Sequence, residues 1–162
     1  MSGTVWKFGD NVDTDVLAPG TYMKGPLEEL ATHCLESVDP QFAAGVQAGD
    51  FVVAGRNFGA GSSREQAAQV LKLLGVAAVI APSFAGIFYR NACNLGLAAL
   101  ISDSVGRIAS GQRLSVDVHT GVMENLTTGE RLTCEPLPEH LAAIVQAGGL
   151  IPYLQNKLET ER

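Results

Sequence analysis

Cysteine is scarce in this sequence: three residues in 162, at positions 34, 93 and 134, odd in number and far apart. That excludes a disulfide framework and a C-x-x-C metal clip, and leaves buried thiols as the reading of Cys34, Cys93 and Cys134. Basic residues are outnumbered, 11 Lys and Arg against 17 Asp and Glu for a net charge of −6, and none of them forms a run. Without a basic stripe nothing is available to meet a phosphate backbone, which excludes nucleic acid as a partner. Long apolar runs are also missing. No segment approaches the roughly 20 residues that a membrane span needs, and Met1 to Lys7 has neither a signal-peptide core nor the Arg- and Ser-rich character of a transit segment. A cytoplasmic chain with no membrane partner is expected. The histidines, His33, His119 and His140, lack any partner pattern and read as surface residues.

What is present describes an ordinary globular protein. Hydrophobic residues make up 46% and charged residues 17% of the chain, enough for one domain with a real core. No repeat, low-complexity tract or linker divides residues 1–162, so a single domain is expected. Residues 4–8 alternate as a short strand. Residues 51–54, 77–81 and 97–101 are continuous apolar runs, the pattern of strands buried on both faces. Between them, helices are expected over 63–74 and 83–95, with Gly75 and Gly96 as left-handed stops and Ser83 as the cap of the second. This βαβαβ run implies right-handed crossovers and a parallel core. Residues 113–118, 122–126 and 131–134 alternate and are separated by turn signals, which predicts an antiparallel annex. A terminal helical region runs over 139–146, breaks at Gly148-Gly149 and resumes at 151. The fold class is α/β.

Residues 18–47 are the least regular. Pro19-Gly20 and Gly25-Pro26 flank Thr21-Tyr22-Met23-Lys24, and a short helix is expected over 27–35, ended by Asp39-Pro40. A long irregular connection in a compact domain reads as a functional flap, expected to be mobile on its own because its apolar side lacks a surface to pack on. Before it, Asp10, Asp13 and Asp15 crowd together but lack the central Gly and distal Glu of a calcium loop.

The chemistry concentrates in Gly55-Arg56-Asn57-Phe58-Gly59-Ala60-Gly61-Ser62-Ser63-Arg64-Glu65-Gln66. A strand, a glycine-rich turn and a helix start gather free N–H donors, the positive end of a helix dipole and a guanidinium, which together suit an anion. Position 64 is Arg where a dinucleotide fingerprint needs Gly, and no Lys-Ser/Thr follows as a P-loop requires. Small hydroxyls and one Arg suit a small carboxylate instead. Ser63 to Gln66 also has the S-x-x-Q form of a capping box, which accounts for Ser63 and Gln66 but not for Ser62, Arg64 or the glycines. A lone Ser is a poor base, and the chain offers no metal site, evident acid or triad of its own. An enzyme built on this turn takes much of its active site from elsewhere.

Three stretches together resemble a known family. Asp10-Asn11-Val12-Asp13-Thr14-Asp15, Gly55 to Glu65, and Ser83-Phe84-Ala85-Gly86-Ile87-Phe88-Tyr89-Arg90-Asn91 are similar to small subunits of the 3-isopropylmalate dehydratase type, within the aconitase superfamily. The resemblance implies the swivelling β/β/α domain that forms the C-terminal domain of aconitases. It also implies a separate large catalytic subunit carrying a [4Fe-4S] cluster in a heteromeric hydro-lyase, acting on a small hydroxy acid in leucine biosynthesis. By motif match, Ser62 is the base that removes the proton alpha to a carboxylate. Ser63 and Arg64 hold the substrate carboxylate, and Thr14 and Asp15 enter the same cleft.

Substrate choice in the family resembles a lock on the turn corresponding to Tyr22-Met23-Lys24. Isopropylmalate enzymes tend to carry an apolar residue at the third position and homoaconitases an Arg. Lys24 either meets an extra carboxylate or turns its ammonium to solvent and offers Met23 and its own methylenes. Ala60 stands where many members have Cys, Gln66 where isopropylmalate enzymes usually have His, and Gly86 in place of a frequent Arg. The reading favoured here is the isopropylmalate type. Homoaconitase or a methylated-malate dehydratase is the alternative within the class, and a stand-alone carboxylate-binding module is the alternative outside it.

Overall fold

Burial along the strands divides them into two kinds. A computed structural model describes residues 1–161. In it, strands β2 (Phe51–Val53), β3 (Ala78–Ala81) and β4 (Ala98–Ile101) are buried almost throughout, whereas β5 (Arg113–Val116), β6 (Val122–Asn125) and β7 (Arg131–Thr133) alternate buried and exposed positions. The apolar runs and the alternating runs of the sequence therefore map onto doubly covered and singly covered strands. Strand β1 (Ser2–Lys7) joins the two kinds in one seven-stranded sheet of order β4-β3-β2-β1-β5-β6-β7. Its second half pairs parallel with β2, Val5 opposite Phe51, and its first half pairs antiparallel with β5, Gly3 opposite Leu114.

The period of two along the parallel strands sorts their side chains into two cores. Val52, Val79 and Ala99 join one cluster with the helices α1 (Thr14–Leu17), α2 (Leu27–Thr32), α3 (Phe42–Gly45) and α4 (Gln66–Leu73). Phe51, Val53, Ile80 and Leu100 point the other way, to Leu114, Met123 and Leu132 of the antiparallel strands and to α6 (Glu139–Ala147). The sheet curls so that its antiparallel end covers one face of its parallel end. Helix α5 (Gly86–Asn94) follows β3, and α7 (Leu150–Thr160) packs on α6. The buried carboxylate of Asp50 fixes the entry to β2, accepting from Thr4 N, Trp6 Nε1 and Gln47 N at 3.2, 3.1 and 2.9 Å. No helix among the described residues is long and apolar enough to cross a membrane.

The largest difference from the sequence reading lies in residues 18–47. Leu30, Ala31, Cys34, Leu35 and Phe42 are buried in the first core, and α2 packs on α4, so the segment's apolar side does have a surface to pack on. The 3₁₀ turn Gly20–Tyr22 buries no residue and stays at the surface. Helix α2 stops at Thr32 rather than near 35, because Leu35 swings to φ 60° and gives its amide to Val16 O at 3.0 Å. Ser83 does not cap α5, which begins at Gly86. Its hydroxyl accepts from Asn57 N at 2.8 Å instead. Gly75 and Gly96 take the left-handed conformation expected of helix stops, at φ 89° and 83°.

Candidate active site

Parallel strands leave their following loops at one end of the sheet, where open α/β sheets place ligands. The loops after β1, β2 and β3 meet there. The middle loop is bonded on one side to the first and on the other to the third. Asn11 N donates to Arg56 O, Gly59 N to Val12 O and Thr14 N to Ala60 O, at 2.7–2.8 Å. Phe58 N donates to Ser83 O and Ala85 N to Phe58 O, at 3.1 and 2.9 Å. Beneath the loops, Phe58 lies edge-on to Phe84 and Phe88. The three stretches that carry the family resemblance thus meet through these neighbouring loops, the first running into α1 and the third into α5.

Glycine is required at two points of the middle loop. Gly59 sits at φ 81°, and a Cβ there would enter the Phe88 ring. Gly61 sits at φ 104°, where a Cβ would lie 3.1 Å from Thr14 Oγ1. Positive φ and close approach both favour Gly, and the result is that Ser62 passes beside Thr14.

Ser62 Oγ and Thr14 Oγ1 lie 3.2 Å apart, with Thr14 buried and Ser62 exposed. Arg64 Nη1 donates to Asp15 Oδ1 at 2.9 Å and to Ala18 O at 3.0 Å, and Gly20 N donates to the same Asp15 oxygen at 3.0 Å. The Arg64 guanidinium, with help from the Gly20 amide, holds the Asp15 carboxyl below its ordinary value. Thr14, Asp15, Ser62 and Arg64 are therefore brought together. Ser63 follows in the chain with its side chain exposed. Lys24 is exposed and joins no ion pair among the described residues, two residues past the 3₁₀ turn whose Gly20 touches the Asp15–Arg64 pair.

One expectation fails at this point. Helix α4 begins at Gln66, two residues later than the capping-box reading places it, and Ser63 makes no side-chain cap. The backbone of Ser62 to Glu65 is still in the turn, and no amide from Ser62 to Gln66 donates to an acceptor among the described residues. The helix dipole fades beyond the first turn, so free amides and Arg64 carry more of the positive potential at Ser62 than the helix does.

The three aspartates near the site also differ from a cation loop. Asp10 Oδ1 accepts from Arg56 N at 2.7 Å, Asp13 caps α1 through Val16 N at 2.8 Å, and Asp15 holds Arg64. The D-x-x-V form of an N-cap was the available signal for Asp13. Nothing in the sequence pointed to Ala18 O as an anchor for Arg64. The cysteines lie elsewhere: Cys34 in the first core, Cys93 and Cys134 in the second. Burial pushes all three thiols up, that of Cys134 to about 11. Separated and buried in this way, they do not form a ligand set for an iron–sulfur cluster.

The sequence profile of the aconitase C-terminal domain matches residues 22–108. The chain is 49% identical over 158 residues to 3-isopropylmalate dehydratase small subunit 1 of Thermotoga maritima, covering 96% of this chain and 95% of that protein. The chain belongs to the aconitase family. It is also 46% identical over 161 residues to the methanogen homoaconitase small subunit of Methanothermobacter thermautotrophicus, covering 99% and 94% of the two chains. A crystal structure of 3-isopropylmalate dehydratase from Methanocaldococcus jannaschii superimposes with a TM-score of 0.92 at 41% identity, over 99% of this chain and 96% of that one. The fold is accordingly that of the aconitase C-terminal domain, with the curled mixed sheet described above. Lys24 and Ser62 to Arg64 fall inside the profile match, and Thr14 and Asp15 precede it.

Proposed function

We propose that this chain is the small subunit of a heteromeric, cytoplasmic aconitase-family hydro-lyase of the 3-isopropylmalate dehydratase type, serving leucine biosynthesis. On this reading it acts with a large subunit that carries a [4Fe-4S] cluster. The observation that carries the proposal is the placement of the Ser62 hydroxyl beside Thr14 and Arg64 on a turn of free amides, together with near full-length similarity to small subunits of that type.

The cluster would supply an electrophilic iron for the departing hydroxyl. The rest is the work of this chain. Ser62, as the alkoxide, takes the proton from the carbon alpha to a substrate carboxylate and becomes a hydroxyl. The electron pair left on that carbon spreads into the carboxylate, where Arg64 and the free amides meet the added charge. Thr14 Oγ1, donating to Ser62 Oγ, stabilises the alkoxide before the transfer. Arg64 Nη1 is committed to Asp15 and Ala18, which leaves Nη2 and Nε to face the anion. Ser63, released from capping, adds a short donor. In the reverse step Ser62 returns the proton to the carbon from which the hydroxyl departed, and hydration at the neighbouring carbon gives the isomer.

The relatives do not separate the substrate, because isopropylmalate and homoaconitase small subunits match at 49% and 46%. Lys24, an exposed cation beside the site, favours homoaconitase as the second reading, since it suits an additional carboxylate. The test is to reconstitute the chain with its cluster-bearing partner and assay isopropylmalate, homoaconitase substrates and methylated malates. Turnover of isopropylmalate, shifted further toward apolar substrates by Lys24→Val, is expected. If no cluster-bearing chain co-purifies with or complements this one, the enzyme reading fails and a carboxylate-binding module is left.

A further inference from the structure

The turn that carries Lys24 is small and weakly built. Its 3₁₀ segment, Gly20–Tyr22, has three residues, no side-chain cap and no buried residue. Such turns have poor hydrogen-bond geometry and little stability of their own. Beyond its own backbone bonds and the packing of Tyr22 and Met23 against the first core, two side-chain contacts hold it. At its start, Gly20 N is bonded to Asp15 Oδ1, the oxygen that also receives Arg64. At its end, the Tyr22 ring lies flat on the imidazole of His33, with centroids 3.5 Å apart and planes 2° from parallel. His33 is itself held, because Nδ1 lies 2.7 Å from Glu36 Oε2. The imidazole N–H can donate to that carboxylate in either charge state of the ring, which fixes the plane on which Tyr22 rests.

We propose that Tyr22, His33 and Glu36 form a clasp that holds the 20–24 turn beside Arg64, and that His33 is a positioning residue for substrate recognition. The proposal rests on the reading of Tyr22-Met23-Lys24 as the substrate-facing turn. His33 acts through Tyr22 and touches neither Ser62 nor Arg64. Its position is the first after α2, whose Leu30 and Ala31 are buried in the core. The clasp therefore ties a surface turn to the end of a helix anchored in the core. A wandering turn would give Lys24 no fixed place from which to select between an apolar group and a carboxylate.

The test uses the full chain for amide exchange and the reconstituted complex for kinetics. In His33→Ala, exchange at Tyr22 and Met23, whose amides are bonded to Pro19 O and Gly20 O, is expected to accelerate roughly three- to tenfold, the scale of one aromatic pair. KM rises by a similar factor, and kcat stays within about twofold, because Ser62 and its neighbours are untouched. His33→Phe, which restores a flat ring, recovers most of the KM. Glu36→Gln gives a smaller change in the same direction as His33→Ala. Wild-type exchange and wild-type KM in His33→Ala overturn the clasp. Faster exchange with unchanged KM overturns its role in recognition, and Lys24→Val then locates the fault. A changed substrate preference in Lys24→Val leaves the substrate-facing turn standing without its clasp, whereas an unchanged one removes the substrate-facing turn as well.

Discussion

Ser62 is an ordinary alcohol unless its surroundings favour the alkoxide, and under the proposed function three neighbours would supply that preference. Thr14 offers a hydroxyl from a buried position, Arg64 a guanidinium, and the turn its free amides. On the proposed reading Asp15 serves the substrate site through Arg64. It receives Arg64 and Gly20 on one oxygen, and so orients the cation while cancelling part of its charge. Because the Arg64 contact holds the folded-state pKa of Asp15 down, the tether is fully present above the ordinary aspartate value of about 3.9. It is lost as pH falls through the depressed value. At neutral pH Asp15→Asn is expected to raise KM a few-fold with little effect on kcat, since an exposed pair contributes modestly. A hundredfold loss in kcat would instead place Asp15 in the chemistry.

Among the elements, the segment between β1 and β2 decides how much of the molecule is scaffold. Phe42 is fully buried and stands edge-on to both Trp6 and Phe8, with ring centroids at 5.4 and 5.6 Å. Phe42→Ala should destabilise the chain by about 3–5 kcal/mol in a denaturant titration. A loss under about 1 kcal/mol would return residues 18–47 to the status of a loose flap. The sequence showed the long periodic elements because apolar runs and alternation report burial directly, and β2 to β7 fall within a few residues of their expected bounds. It did not show α1, α3 or the true start of α4. Short helices have little propensity signal, and their ends are set by partners distant in sequence. Leu35 bonds Val16, and Ser83 bonds Asn57 in place of capping α5. The same limit applies at the site. The residue types at Ser62, Ser63 and Arg64 announce an anion turn, but the Asp15 and Ala18 anchors of Arg64 lie 49 and 46 residues away in the chain.

At the scale of the whole molecule, the curled sheet presents three loops at one end and little else that is chemically active. The three cysteines are spent in the two cores, and Ser62, Ser63 and Lys24 lie open to solvent. Under the proposed function this surface is half of a cleft, and a second chain brings the group that accepts the hydroxyl. Single-residue chemistry and assembly can therefore be separated. The most direct measurement is the turnover of a Ser62→Ala chain reconstituted with its large subunit, with assembly verified by co-elution and substrate binding by calorimetry. Loss of a general base predicts a fall in kcat of roughly 10²–10⁴-fold, with assembly intact and substrate affinity near that of the wild type. Turnover within about tenfold of the wild type in a fully assembled complex would contradict the account and remove Ser62 as the base.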